Sequence, residues 1–269
     1  MPLRVEPDAT FRAVLAATDR PLAGMWVSSG SAVAAEICAG SGLDWILVDV
    51  EHGPNTLETV LAQLQAIAGH PVTAVVRVPS ADPVLIKQFL DIGAQNLVVP
   101  MVASADEAGA IVRAIRYPPN GIRGVGSALA RSARWGRTSD YLARADELVS
   151  LTVQIETAEA VGNAQRIAAV DGVDAVLIGP ADLAASLGHL GQQDHPEVVA
   201  AVLATIEAVT AAGKPVGVNA FVPEAADRYI AAGARFVIVG ADVILLARGS
   251  EALAARFTAG DAGAAPSTY

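Results

Sequence analysis

Residues 39–54 read AGSGLDWILVDVEHGP and contain the unit from which the fold can be inferred. The small residues and glycines at its start are typical of a helix end. The continuous apolar run DWILVDV (44–50) is typical of a parallel strand that is covered on both faces. Three ionisable residues, Asp49, Glu51 and His52, end the run before a Gly-Pro pair. The segment therefore predicts a helix, a buried strand and a polar turn directly after it.

Apolar runs of the same kind recur along the chain, with helical segments between them. Eight βα units in one domain predict an α/β fold of the (β/α)8 TIM barrel type over residues 1–257. The C-terminal stretch 258–269 is predicted to be a disordered tail. The predicted strands are LAGMWVS (22–28), DWILVDV (44–50), TAVVRV (73–78), NLVVPM (96–101), SLTVQIE (150–156), DAVLIGP (174–180), PVGVNAF (215–221) and RFVIVG (235–240).

Composition restricts the partners and the compartment. Apolar residues make up 53% of the chain and charged residues 17%, which is more apolar than a typical monomer, so we expect a homo-oligomer. The net charge of −10 argues against nucleic acid and anionic membranes as partners, because both attract basic proteins. The N-terminus lacks the basic and apolar segments of a signal peptide, so a cytoplasmic protein is predicted.

Polar residues follow several of the predicted strands and define a candidate site. In a TIM barrel the active site lies at the carboxyl ends of the strands, so these side chains should converge on one mouth. Simpler explanations exist for single residues, because Asp182 could be a helix N-cap and Glu156 a capping or surface carboxylate. Arg77 could be an ion-pair partner and His52 a loop histidine. Their joint placement favours an active site. The residues concerned are Asp49, His52, Arg77, Gln154, Glu156 and Asp182.

Two of these residues, Glu156 and Asp182, offer carboxylate oxygens without a cysteine or a pair of histidines beside them. This set of ligands suits Mg²⁺ or Mn²⁺ better than a structural zinc ion. The N–H groups of Ala181 and Asp182 at a predicted helix start are placed to bind a substrate carboxylate. A divalent ion next to such a pocket suits a 2-oxo acid, whose enolate oxygen Arg77 would stabilise. Gln154 is expected to contact the same substrate.

Proton transfer is assigned to His52, with Asp49 three residues earlier to orient it. The two lysines, Lys87 and Lys214, fall in a predicted helix and before a predicted strand, so a Schiff-base aldolase is not expected. The glycines of RGVGSAL (123–129) do not follow a strand, so a nicotinamide-binding motif is not supported either.

The chain resembles the metal-dependent 2-oxo acid aldolases of the HpcH/HpaI family over roughly residues 20–245. The motifs that carry the resemblance are long and occur in the family's order. They include LVDVEHGPN, VVRVP, LIKQFLDIGAQNLVVPMV, RYPPNGIRGVG, VQIET and GPADLAASLG.

The resemblance implies reversible cleavage of 4-hydroxy-2-oxo acids to pyruvate and an aldehyde. It implies a divalent ion (Mg²⁺, Mn²⁺ or Co²⁺) held by Glu156 and Asp182. It also implies that His52 and Asp49 form the acid–base pair and that Arg77 polarises the keto oxygen.

The resemblance further implies a hexamer whose subunits exchange their last helix, and a role in the catabolism of aromatic compounds. Two alternatives stay open from the sequence. One is a citrate-lyase-like acyl-CoA lyase, which would share the two-carboxylate site. The other is a barrel that binds a ligand without catalysis. Metal content and release of pyruvate would distinguish the three.

Overall fold

A closed barrel of eight parallel strands forms the centre of the computed structural model, which describes residues 3–258. Neighbouring strands in the sequence pair in the sheet, and β8 closes on β1. The predicted TIM barrel is confirmed, and each strand begins and ends within two residues of its predicted bounds. The strands are β1 Leu22–Val27, β2 Trp45–Asp49, β3 Thr73–Arg77, β4 Asn96–Val99, β5 Ser150–Ile155, β6 Ala175–Ile178, β7 Val216–Asn219 and β8 Phe236–Ala241.

Helices surround the barrel, and many begin at a local signal in the sequence. Ser31, Thr56 and Asp82 accept hydrogen bonds from first-turn N–H groups of their helices, and proline occupies the first turn of four helices. The helices are α1 Phe11–Ala16, α2 Ala32–Ala39, α3 Leu57–Ile67, α4 Pro83–Asp91, α5 Ala105–Ile115, α6 Tyr141–Leu148, α7 Ala158–Ala168, α8 Pro180–Ser186, α9 Pro196–Ala211, α10 Pro223–Ala231 and α11 Asp242–Phe257. Of the predicted tail, residues 259–269 lie outside the described residues.

Aromatic side chains close the amino-terminal end of the barrel. Phe11, Trp45 and Phe236 contact one another, with ring centroids 5.1 to 5.6 Å apart. Two glycines make room for them. A Cβ atom at Gly24 would lie 2.4 Å from the Trp45 ring, and one at Gly217 would lie 2.2 Å from the Phe236 ring. These three rings, which we call the aromatic floor, therefore require glycine on two of the strands.

The long connection between α5 and α6 packs against the barrel around a buried arginine. Arg123 is 1% exposed, pairs with Asp91 at 3.1 Å and lies over the Tyr117 ring, 4.6 Å from its centroid. The Tyr141 hydroxyl also accepts from it, at 3.3 Å. This segment contains two short 3-10 turns, Ser127–Leu129 and Arg131–Ala133. Within residues 3–258, no helix has the length and apolar character needed to cross a membrane.

Candidate active site

The register of the sheet brings Asp49 and Arg77 together at the carboxyl ends of β2 and β3. Their Cα positions are partners across the two strands. Arg77 donates from Nε and from Nη2 to the two carboxylate oxygens of Asp49, both at 2.9 Å. Both side chains are buried. Arg77 therefore does form the ion pair with a carboxylate that the sequence left open, and this pair is bidentate.

Two further residues hold the Arg77 guanidinium. Its Nη1 lies 2.9 Å from Glu51 Oε2, an ion pair without hydrogen-bond alignment. The indole ring of Trp26 lies on one face, with its centroid 4.1 Å from the guanidinium carbon. Arginine has five N–H donors, and the two hydrogen bonds with Asp49 engage two of them, while the Glu51 carboxylate lies beside Nη1. Arg77 is thus held in place while one N–H on each terminal nitrogen is left for a ligand.

His52 lies at the same mouth, and its side chain is 66% exposed. Its backbone N–H donates to Asp49 Oδ1 at 3.4 Å. The carboxylate nearest to its ring among the described residues is Glu51, whose Oε2 lies 3.9 Å from Nε2. The Asp49 carboxylate is engaged by Arg77, so the orientation of His52 by Asp49 stays a prediction.

Glu51 also belongs to the site, although the sequence alone assigned it no role. It lies between the Arg77 guanidinium and the His52 ring. Burial raises the pKa of the Glu51 carboxyl, and the neighbouring Arg77 and His52 side chains oppose that rise. The available signal was its position between Asp49 and His52 in the turn after β2.

Glu156 follows β5 and is 1% exposed, so the alternative of a surface carboxylate is wrong. Its Oε1 accepts from the Met101 N–H at 2.7 Å, and its Oε2 accepts from the Gln154 amide nitrogen. Burial raises the pKa of Glu156 to about 7, although these two bonds lower it. The nearby carboxylates of Glu51 and Asp182 also raise it, which places all three acidic groups in one electrostatic environment.

Gly179 forms the wall behind Glu156. A Cβ atom there would lie 2.6 Å from Glu156 Oε2 and 3.0 Å from Gln154 Nε2. Gly179 is also the N-cap of α8, so the alternative that Asp182 is only the N-cap is wrong. Asp182 lies in the first turn of α8, exposed, and Ala181 precedes it.

The chemistry of these groups fits a divalent cation. The buried Glu156 carboxylate accepts one hydrogen bond on each oxygen, so each oxygen keeps a free lone pair. The Gln154 Oε1 atom is buried and lacks a hydrogen-bond partner among the described residues. Carboxylate and amide oxygens with Asp182 nearby are ligands that hard cations prefer. Met101, two residues after β4, supports this arrangement, with a backbone φ of 59° that turns its N–H toward Glu156.

Comparisons with known proteins identify relatives of this chain. The family model HpcH/HpaI aldolase/citrate lyase matches residues 22–249. A protein of Klebsiella pneumoniae named 4-hydroxy-2-oxo-heptane-1,7-dioate aldolase is 56% identical, over 89% of this chain and 90% of the relative. A protein of Shigella sonnei with the same name is 53% identical, over 97% of this chain and 99% of the relative.

A solved structure is also similar. It is a HpcH/HpaI aldolase/citrate lyase family protein from Burkholderia cenocepacia J2315, with a TM-score of 0.88 and 42% identity, and the alignment covers 92% of this chain and 98% of that chain. The resemblance inferred from the motifs is confirmed. The chain belongs to the HpcH/HpaI aldolase/citrate lyase family.

Proposed function

We propose that the chain is a lyase of the aldolase type that reversibly cleaves 4-hydroxy-2-oxo acids to pyruvate and an aldehyde. The observation that carries the proposal is that two groups lie at one barrel mouth. One is Arg77, held in place with N–H groups left for a ligand, and the other is the buried Glu156 carboxylate. The names of the relatives at 53–56% identity support the same reaction.

The proposed cofactor is a divalent ion, Mg²⁺, Mn²⁺ or Co²⁺, with Glu156 and Asp182 as its protein ligands. The hard oxygen atoms of these residues support this choice. When bound, the ion supplies Lewis-acid polarisation of the substrate's 2-oxo group. Gln154 and the N–H groups of Ala181 and Asp182 are proposed to contact the substrate. Gln154 has a buried oxygen to offer, and α8 begins without a side-chain cap.

The cleaved bond joins C3 and C4 of the substrate. His52 accepts the proton of the C4 hydroxyl, the C4 carbon becomes the aldehyde, and the electron pair of the broken bond forms the enolate of pyruvate. Arg77 donates hydrogen bonds to the enolate oxygen as its charge develops. Protonation at C3 then gives the methyl group of pyruvate. Because Asp49, Glu51 and Trp26 already hold the guanidinium, little reorganisation accompanies this step.

A homo-oligomer is proposed as the working form. Helix α11 has sixteen residues, and Asp242 is the buried one among them. Leu246 and Phe257 are 75% and 73% exposed. An apolar helix surface of this kind favours association with another subunit. The exchange of α11 within a hexamer and a role in aromatic-compound catabolism are proposed with it from the family resemblance, and a cytoplasmic location is proposed from the N-terminal sequence.

A direct test mixes purified protein, a divalent ion and pyruvate with a panel of aldehydes that includes succinic semialdehyde, lactaldehyde and glyceraldehyde. We expect 4-hydroxy-2-oxo acids to form, and pyruvate to be released when they are supplied. Proton NMR in D₂O should show exchange of the pyruvate methyl protons without aldehyde. Carbon–carbon cleavage of a 3-hydroxyacyl-CoA to an acyl-CoA and a carbonyl compound instead would indicate the acyl-CoA lyase alternative. Neither reaction, in protein that binds the ion, would indicate a silent barrel.

A further inference from the structure

A second cluster of potential metal ligands lies between α8 and α9. It consists of His189, His195 and Glu197, whose ligand atoms all lie within 4.8 Å of one another. His189 Nε2 is 2.8 Å from Glu197 Oε2, and the two imidazole rings stack with centroids 3.5 Å apart. The proposed catalytic site uses none of these three side chains.

Backbone hydrogen bonds fix the turn that carries the cluster. The N–H of His189 donates to the carbonyl oxygen of Ala184 in α8 at 2.7 Å. The N–H of Gln192 donates to His189 at 2.9 Å, and the N–H of His195 donates to Gln192 at 3.1 Å. His195 is the N-cap of α9, where its Nδ1 accepts from the Glu197 N–H at 3.3 Å. Backbone hydrogen bonds and the cap formed by His195 Nδ1 therefore hold the two histidines side by side.

The donors differ in kind from those of the catalytic site. Two imidazoles and one carboxylate form a set that catalytic zinc sites use, with water in the fourth position. Nitrogen ligands favour Zn²⁺, Co²⁺, Ni²⁺ and Cu²⁺ over Mg²⁺. We propose that His189, His195 and Glu197 form a second metal site of this chain, one that takes Zn²⁺ and related transition-metal ions. This inference does not depend on the proposed aldolase reaction.

Binding requires a small rearrangement of side chains. Ligand atoms on a tetrahedral zinc ion are about 3.3 Å apart. The 2.8 Å distance between His189 Nε2 and Glu197 Oε2 therefore has to lengthen slightly. The stacked rings must also turn so that each directs a nitrogen toward the ion. The three side chains are partly or fully exposed and have room for these rotations. The ion takes the place of the hydrogen bond between His189 Nε2 and Glu197 Oε2.

Charges near the cluster both oppose and favour the binding of a cation. The amino-terminal end of α9 disfavours a cation. The carboxylates of Asp194 and Glu197 offset it, and the pKa of Glu197 is lowered by its bond with His189. A bound ion would link the turn after α8 to the first turn of α9 and so stabilise the connection between the two helices. Helix α8 also carries Asp182.

The experiment is a calorimetric titration of untagged, metal-free protein with Zn²⁺ in the presence of excess Mg²⁺. It is repeated in the Glu156→Gln variant, which weakens the oxygen-ligand site. We expect one zinc ion per chain in both proteins. His189→Gln should weaken zinc binding by about tenfold or more, since loss of even an indirect support of a metal ligand costs that much. His195→Asn should do the same while keeping a good helix N-cap.

His70→Gln is the matched control, because His70 is a partly exposed histidine outside the cluster. Its zinc affinity should equal that of the unmodified protein. Elemental analysis after dialysis should give the same stoichiometry as calorimetry. The proposal is overturned if no zinc binds in the presence of Mg²⁺, or if Glu156→Gln abolishes zinc binding while His189→Gln and His195→Asn leave it unchanged.

Discussion

Replacing Gly179 by alanine adds one methyl group directly behind the Glu156 carboxylate. The backbone at this position has φ −101° and ψ 91°, which alanine adopts without strain. The new Cβ would lie 2.6 Å from Glu156 Oε2, whereas ordinary contacts begin at 3.4 Å. The carboxylate therefore has to retreat by about 0.8 Å, the difference between these two distances, and Gln154 Nε2 at 3.0 Å has to follow.

The displacement sets the expected size of the effect. A misplacement of about 1 Å in a catalytic arrangement costs about 10²-fold in rate, so we expect kcat/KM to fall by roughly that factor. Overpacking lowers the free energy of unfolding by about 1–3 kcal/mol, and the more restricted unfolded chain returns about 0.4–1 kcal/mol. Gly179→Ala should therefore fold, with a melting temperature a few degrees lower, and bind the divalent ion more weakly.

The assay measures pyruvate release, ion affinity by calorimetry and the melting temperature on the same samples. Gly162→Ala is the matched control, because a Cβ atom there, inside α7, meets nothing within 4 Å. It should leave turnover and ion affinity unchanged and raise the stability slightly. If Gly179→Ala kept the ion affinity and turnover of the unmodified protein, the assignment of Glu156 as a ligand would be refuted.

Four further predictions follow from the same site and from the buried arginine. Chelation should abolish pyruvate release, and Mg²⁺, Mn²⁺ or Co²⁺ should restore it; full turnover in protein that elemental analysis shows to be metal-free would contradict this. Arg77→Lys keeps the charge but loses the bidentate bond to Asp49, so pyruvate proton exchange and cleavage should both fall by about 10²–10³, as NMR and a pyruvate assay would show. His52→Ala should lower cleavage by about 10²–10⁴ and exchange by less, and equal losses would assign it the enolisation step as well. Burial raises the pKa of Tyr117 to about 12, so stability should fall as the pH rises from about 10 to 12, because Tyr117 ionises there only in the unfolded chain. Tyr117→Phe should reduce this loss in denaturant titrations, and the raised pKa of Tyr229 accounts for a part that remains.

The fold could be predicted because each strand has its own local signals. DWILVDV (44–50) is continuously apolar between a glycine and a polar turn, and β2 forms within it at Trp45–Asp49. Closure of the barrel followed from the number of such units. The aromatic floor could not be predicted, because it depends on Gly24 and Gly217 leaving space for rings that are distant in the chain.

The sequence predicted that the polar residues after the strands lie at one barrel mouth, but it predicted few of the contacts between them. Position after a strand placed Arg77 and Glu156 at one mouth. The sequence does not contain the sheet register, which places Asp49 beside Arg77 and so commits this carboxylate to the guanidinium. The support from the Met101 N–H was not predicted either, because a backbone donor carries no residue-type signal.

The aromatic floor also determines from which end of the barrel a small molecule can reach Arg77. Phe11, Trp45 and Phe236 close one end of the barrel, so a molecule that reacts beside Arg77 enters and leaves through a single opening. If the proposed cleavage takes place there, both products leave on the side of the barrel from which the substrate came.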